Sequence, residues 1–112
     1  MPKIPLTHLE EMFDNMRNKA RWNTDAPMLW GFFFTDKTKE RLISLAEHLK
    51  NSGYNIVDLY PTDDDLLFML HVERIERHTP KSLDQRNGEL EGLALKFGVR
   101  SYDGMDVGPA GN

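Results

Sequence analysis

Histidines and carboxylates are the main carriers of possible chemistry in this chain, because it contains no cysteine. Thiol nucleophiles, thiolate metal sites and disulfides are thereby excluded. Four histidines occur, at His8, His48, His71 and His78. The spacing His71-x-Glu73 sets two polar groups on one side of a strand, where such a pair could hold a metal or move a proton. A partly exposed sheet edge explains the pair equally well. His8 and His48 fall at exposed helix positions, where solvation is the simpler account. His78 directly precedes a helix cap and reads as a loop residue. Asp63-Asp64-Asp65 could meet a hard cation, but it lacks the alternating oxygen ligands and the glycine of an EF-hand loop. A solvated hairpin turn is the better reading. No serine sits in a Gly-x-Ser-x-Gly elbow. Gly98, Gly104 and Gly108 follow a helix instead of opening one, so they form no phosphate cradle. No catalytic, cofactor-binding or metal-ligating residue is assigned, and the function is expected to reside in a surface.

The elements that would build this surface are legible in the apolar periodicity. Thr7-His8-Leu9-Glu10 has the spacing of a capping box, and Leu6, Leu9, Phe13, Met16 and Ala20 follow at helical intervals to about Lys19. Arg21 to Pro27 breaks the period and reads as a linker. Met28 to Thr35 is bulky, aromatic and unbroken, as a strand should be, with Gly31 marking close packing or a bulge. Asp36 is placed to cap a helix whose apolar stripe is Leu42, Leu45, Ala46 and Leu49, stopped by Gly53. Tyr54 to Tyr60 and Leu66 to Glu73 are the next strands, the latter with Leu66, Phe68, Leu70 and Val72 on one face. Thr79-Pro80 then opens a helix, with a hydroxyl cap and proline where its missing N–H costs nothing. Leu83, Leu90, Leu93, Ala94 and Phe97 mark its buried face. Gly88 and Gly92 inside it suggest a close backbone approach or an irregular turn. Gly98 ends the helix, Val99 to Asp106 forms the last strand, and Tyr102-Asp103-Gly104 reads as a turn.

This order, β-α-β-β-α-β after the first helix, is that of the ferredoxin-like α+β fold: a four-stranded antiparallel sheet with both later helices on one face. The expected division is a helix and linker at 1–27, the folded domain at 28–109 and a tail at 110–112. Leu29, Gly31 and Phe33 point one way from the first strand and Trp30, Phe32 and Phe34 the other. Both sets are apolar, so both faces want cover, from the N-terminal helix or from a second molecule. Packing of Trp30, Phe32 and Phe34 under another element is favoured over stacking with RNA bases, since the third strand lacks a basic-Gly-aromatic signature.

At 112 residues the chain is long enough for one self-sufficient core. Its formal net charge is −4. Residues 1–27 carry four basic and four acidic side chains, and residues 28–112 carry ten and fourteen, so the excess lies on the main domain. Such a domain repels phosphate backbones, which disfavours nucleic acid and favours a basic protein partner. Met1 to Leu6 lacks the apolar core of a signal peptide, and no stretch is long enough to span a membrane, so a cytoplasmic, membrane-free setting is expected.

From about Met28 to Pro109 the chain resembles the regulator of ribonuclease activity B family. The resemblance rests on four segments: Leu29-Trp30-Gly31-Phe32-Phe33-Phe34, the run from Leu45 to Tyr54, the run Glu91-Gly92-Leu93-Ala94-Leu95-Lys96-Phe97-Gly98, and Tyr102-Asp103-Gly104-Met105. In the family the last of these positions is often tryptophan; here it is Met105. The resemblance implies a ferredoxin-like fold and a non-enzymatic protein that binds and inhibits endoribonuclease E. Trp30, Phe32, Tyr102, Asp103 and Met105 are the expected protein-binding residues. An immunity or antitoxin protein neutralising a basic toxin is the alternative, and a small-molecule-binding domain using His71 and Glu73 a further one. A monomer and a homodimer paired through the sheets are both open.

Overall fold

The computed structural model describes residues 4–110, so Met1–Lys3 and the part of the expected tail beyond Ala110 lie outside the described residues. In chain order the elements are α1 (Leu6–Asn18), β1 (Met28–Asp36), α2 (Lys39–Asn51), β2 (Asn55–Pro61), β3 (Phe68–Glu76), α3 (Pro80–Lys96) and β4 (Ser101–Pro109). The strands form one antiparallel sheet in the order β2-β3-β1-β4. This is the split β-α-β arrangement, with the aromatic strand β1 at the centre between β3 and β4.

The helix boundaries follow local chemistry. Thr79 accepts a hydrogen bond from Ser82 N at 3.1 Å and Ser82 Oγ accepts one from Thr79 N at 2.8 Å, a complete capping box with Pro80 as the first helical residue. Gly53 (φ 98°) and Gly98 (φ 68°) leave α2 and α3 in conformations that a side chain would strain. The capping box expected at Thr7 does not form. Pro5, held extended, is the N-cap, and its carbonyl accepts from His8 N and Leu9 N, so Thr7 is already inside the helix. Asp36 caps α2 only indirectly, accepting from Thr38 N at 2.9 Å and Thr38 Oγ1 at 2.8 Å, while Thr38 is the N-cap residue. The same carboxylate accepts from Arg100 N at 2.8 Å and so ties the start of α2 to the start of β4.

Two strand expectations need correction. Leu66 lies in the turn before β3 and is 73% exposed, because the Asp64 carboxylate accepts from its backbone N–H and holds it in the hairpin. Tyr102-Asp103-Gly104 is not a turn. β4 runs through it with a bulge, the register stepping from Phe33↔Gly104 to Phe34↔Tyr102 so that Asp103 has no partner on β1. α3 is likewise a regular helix, and a Cβ at Gly88 or Gly92 would meet nothing within 4 Å. Neither a close approach nor an irregular turn explains those glycines.

The core lies between the sheet and one layer of helices. Met28, Trp30, Phe32 and Phe34 of β1 and Leu70 and Val72 of β3 face it. Leu42, Leu45 and Leu49 of α2 and Leu83, Leu90 and Ala94 of α3 close it. Each large side chain fully buried here contributes roughly 1.5–3 kcal/mol before entropic costs. α1 joins the same layer: Leu9, Phe13 and Met16 are buried, and the Phe13 ring stacks on Trp30 at 6.0 Å between centroids. The N-terminal helix therefore caps the core from the helix side and leaves the opposite sheet face uncovered.

Candidate functional site

Because side chains alternate along a strand, the pairing registers determine what the uncovered face carries. One row across the sheet is Asn55, Glu73, Gly31 and Asp106; the next is Asp58, His71, Phe33 and Gly104; the third is Tyr60, Met69, Thr35 and Ser101. Leu29 and the 57%-exposed Ile75 form a fourth row with Gly108. The face thus has an apolar and aromatic middle bordered by carboxylates.

Gly31 is the pivot of this surface. A Cβ built on it would stand 2.3 Å from Asp106 Oδ1 and 2.9 Å from His71 Nε2. Only a residue without a side chain leaves room above β1 for both the carboxylate from β4 and the imidazole from β3. The His71 ring lies on its cross-strand neighbour Phe33, with centroids 4.3 Å apart and planes 17° apart. Glu73 accepts from Asn55 Nδ2 at 3.1 Å, and Tyr60 OH donates to Met69 Sδ at 3.1 Å. Ser101 Oγ bonds both Thr35 Oγ1 and the Asp103 carboxylate, which places Asp103 at the rim of the same face.

The charge on this face is one-sided. Asp58, Glu73, Asp103 and Asp106 border it, and none of its strand positions is a lysine or arginine. Arg74 is the one basic residue within the four strands. It turns to the helix side, where it donates to Ser52 O at 3.2 Å and lies 5.1 Å from the Tyr54 ring centroid. Four carboxylates equal the entire formal charge of −4, leaving fourteen acidic and fourteen basic side chains elsewhere.

The expected contact residues divide in the structure. Trp30 (1% exposed), Phe32 (0%) and Tyr102 (3%) lie in the core and offer no surface to a partner. The helix layer took the even-numbered side of β1, and the bulge at Asp103 moved Tyr102 off the side of Gly104 and Asp106 and into the core. There its hydroxyl donates to Asn87 Oδ1 at 2.5 Å, and burial pushes the phenol far above its ordinary pKa. Met105 packs half-buried on the core side, near the Asn87 amide. Asp103 alone of the five is exposed, beside the uncovered face. Phe33, His71, Met69 and Asp106 occupy that face. The signal that could have singled them out is the parity of β4, where Gly104, Asp106 and Gly108 alternate with apolar Met105 and Val107.

His78 lies in the loop between β3 and α3, as its place before the Thr79 cap predicts. It is buried, with Nε2 2.6 Å from Glu76 Oε2 and Nδ1 2.9 Å from Ser82 Oγ. Glu76 also accepts from Arg86 and forms an ion pair with Arg74, whose Nε lies 3.2 Å away. Burial raises its carboxyl pKa, but hydrogen bonds from His78 and Arg86 and the Arg86 charge outweigh burial and hold it below the ordinary value. Arg74 and Arg86 border a cleft of about 590 Å³ between α2 and α3 that is also lined by Tyr54, His48 and Lys96. Both arginines there are engaged by Glu76, so the cluster reads as a brace between β3 and α3. Among the described residues no group of three or more His, Asp or Glu side chains is arranged for a metal ion, and no helix is long and apolar enough to cross a membrane.

Fold and face together define the class: a small α+β protein of split β-α-β topology, with helices on one side of its sheet and an acidic, aromatic surface on the other. The chain matches the model of the family regulator of ribonuclease activity B over residues 7–107, from α1 into β4, and belongs to that family. Membership places it among regulators of ribonuclease activity, which act as protein-binding regulators and not as enzymes. No curated protein matches the chain.

Proposed function

We propose that this protein is a non-enzymatic, cytoplasmic regulator that binds an endoribonuclease of the ribonuclease E type through its uncovered sheet face and lowers RNA cleavage by steric or allosteric means. The observation that carries the reading is the family match over residues 7–107, which takes in β1, β2, β3 and most of β4. Support comes from the face itself. It combines half-buried aromatic and aliphatic side chains, the kind that supply affinity, with charges that steer encounter and select the partner. The contact role expected of Trp30, Phe32 and Tyr102 passes to Phe33, His71 and Met69, with Asp103 retained at the rim. Binding of the purified chain to endoribonuclease E by interferometry, beside cleavage of a fluorogenic RNA, tests the proposal. A dose-dependent fall in cleavage with saturable binding is expected. Full cleavage at saturating regulator, with no binding signal, would remove this function.

A further inference from the structure

The chemistry of the partner segment can be specified, an inference that rests on the docking role just proposed. We propose that the uncovered face takes an extended, arginine-bearing protein segment and rejects both nucleic acid and a second copy of this chain. The face carries four carboxylates and no lysine or arginine to pair them, His71 being its one imidazole, so its field is predominantly negative and points outward. A second copy would set four carboxylates against four, and a phosphate backbone would meet the same repulsion. A cationic protein segment is the occupant whose charge complements the surface.

Arginine fits better than lysine for a geometric reason. A guanidinium pairs with a carboxylate through two parallel N–H groups and also stacks on flat rings, whereas an ammonium is a point charge. The face offers both at once. The Phe33–His71 stack lies between Asp106 on one side and Glu73 and Asp58 on the other. Gly104 and Gly108 flank Asp106 on the same side of β4, and added Cβ atoms at either would meet nothing within 4 Å. Asp106 is exposed and Gly108 half-buried beside it, so a side chain can reach the carboxylate from that end of β4, and the apolar Leu29, Met69 and Ile75 receive the residues between the charges.

The test is an NMR titration of the full, ¹⁵N-labelled chain with a blocked peptide of alternating arginine and leucine, and with its lysine and glutamate counterparts. Shifts should concentrate on β1, β3 and β4 at Phe33, His71 and Asp106. The paired variant Asp106→Asn with Glu73→Gln should weaken binding about tenfold, whereas Glu11→Gln with Glu47→Gln, an equal charge change on the helices, should leave it within about twofold. Shifts confined to α2 and α3, equal loss in both variant pairs, or equal affinity for the lysine peptide would overturn the inference. The same variants against endoribonuclease E separate the two readings. If wild type and Asp106→Asn with Glu73→Gln bind it equally well, this docking mode falls and the regulator stands. If wild type does not bind the enzyme at all, the ribonuclease reading falls, and the peptide titration still decides this one.

Discussion

Replacing Glu76 by glutamine is the sharpest probe of what holds the helix layer to the sheet. The Glu76 side chain is 9% exposed, accepts from His78 at 2.6 Å and from Arg86, and forms an ion pair with Arg74 at 3.2 Å, while its backbone carbonyl accepts from Trp30 Nε1 at 3.2 Å. Glutamine keeps the shape but removes the negative charge that three cationic or polar partners share. Breaking a fully buried ion pair costs roughly 3–5 kcal/mol, but Arg74 and Arg86 are 35% and 22% exposed and are partly screened, so we expect ~2–3 kcal/mol. For a domain of this size that corresponds to a fall in Tm of about 10–20 °C. The pH dependence supplies an independent check. The folded-state pKa of Glu76 lies below its ordinary value of 4.5, so its stabilisation is full above that value and is lost as pH falls through the folded one. Glutamine does not titrate, and the stability gap between wild type and variant must therefore narrow in acid. Urea denaturation at about pH 7 and about pH 3 measures both quantities. A neutral-pH gap below ~0.5 kcal/mol, or a gap that does not change with pH, would refute the account of Glu76 as a charged brace.

Three further outcomes are expected. Tyr102→Phe should cost ~1–3 kcal/mol by leaving the buried Asn87 Oδ1 without its donor, and adding Asn87→Leu should restore most of the loss; denaturant melts of the single and double variants check it. Burial raises the phenol pKa of Tyr102 and of Tyr54, so the folded state keeps protons that the unfolded chain releases above about pH 10. Stability should fall as pH rises beyond that point, with a shallower slope in Tyr102→Phe, as read from melts across the alkaline range. Gly88→Ala and Gly92→Ala, on the open side of α3, should each stabilise by ~0.8–1 kcal/mol, because nothing approaches either position; unchanged melting of both would refute that reading.

The order and type of the elements were legible because their signals were local. Thr79-Pro80 announced α3, Gly53 and Gly98 marked helix ends, and the bulk of Met28 to Thr35 announced the central strand. The start of α1 was misread because a Thr-x-x-Glu pattern competes with the extended Pro5, whose carbonyl takes the first helical bonds. The outward side of β1 was not legible. Both of its faces are apolar, so a period of two carries no contrast, and the choice falls to the stripes of α1, α2 and α3. Tyr102 was hidden by the bulge: without the extra residue it shares a side with Gly104 and Asp106, and with it the ring turns inward. Gly31 hinted at close packing, but its partners lie forty and seventy-five positions away in the chain, beyond any local pattern.

Gathering four carboxylates on one side of the sheet, with no lysine or arginine among them, gives that side an outward negative potential. In the field of a cationic body such a particle is turned before it touches, and random collisions become face-first approaches. Ionic strength then acts mainly on the speed of approach, while the lifetime of a complex depends on the rings and methyl groups beneath the charges.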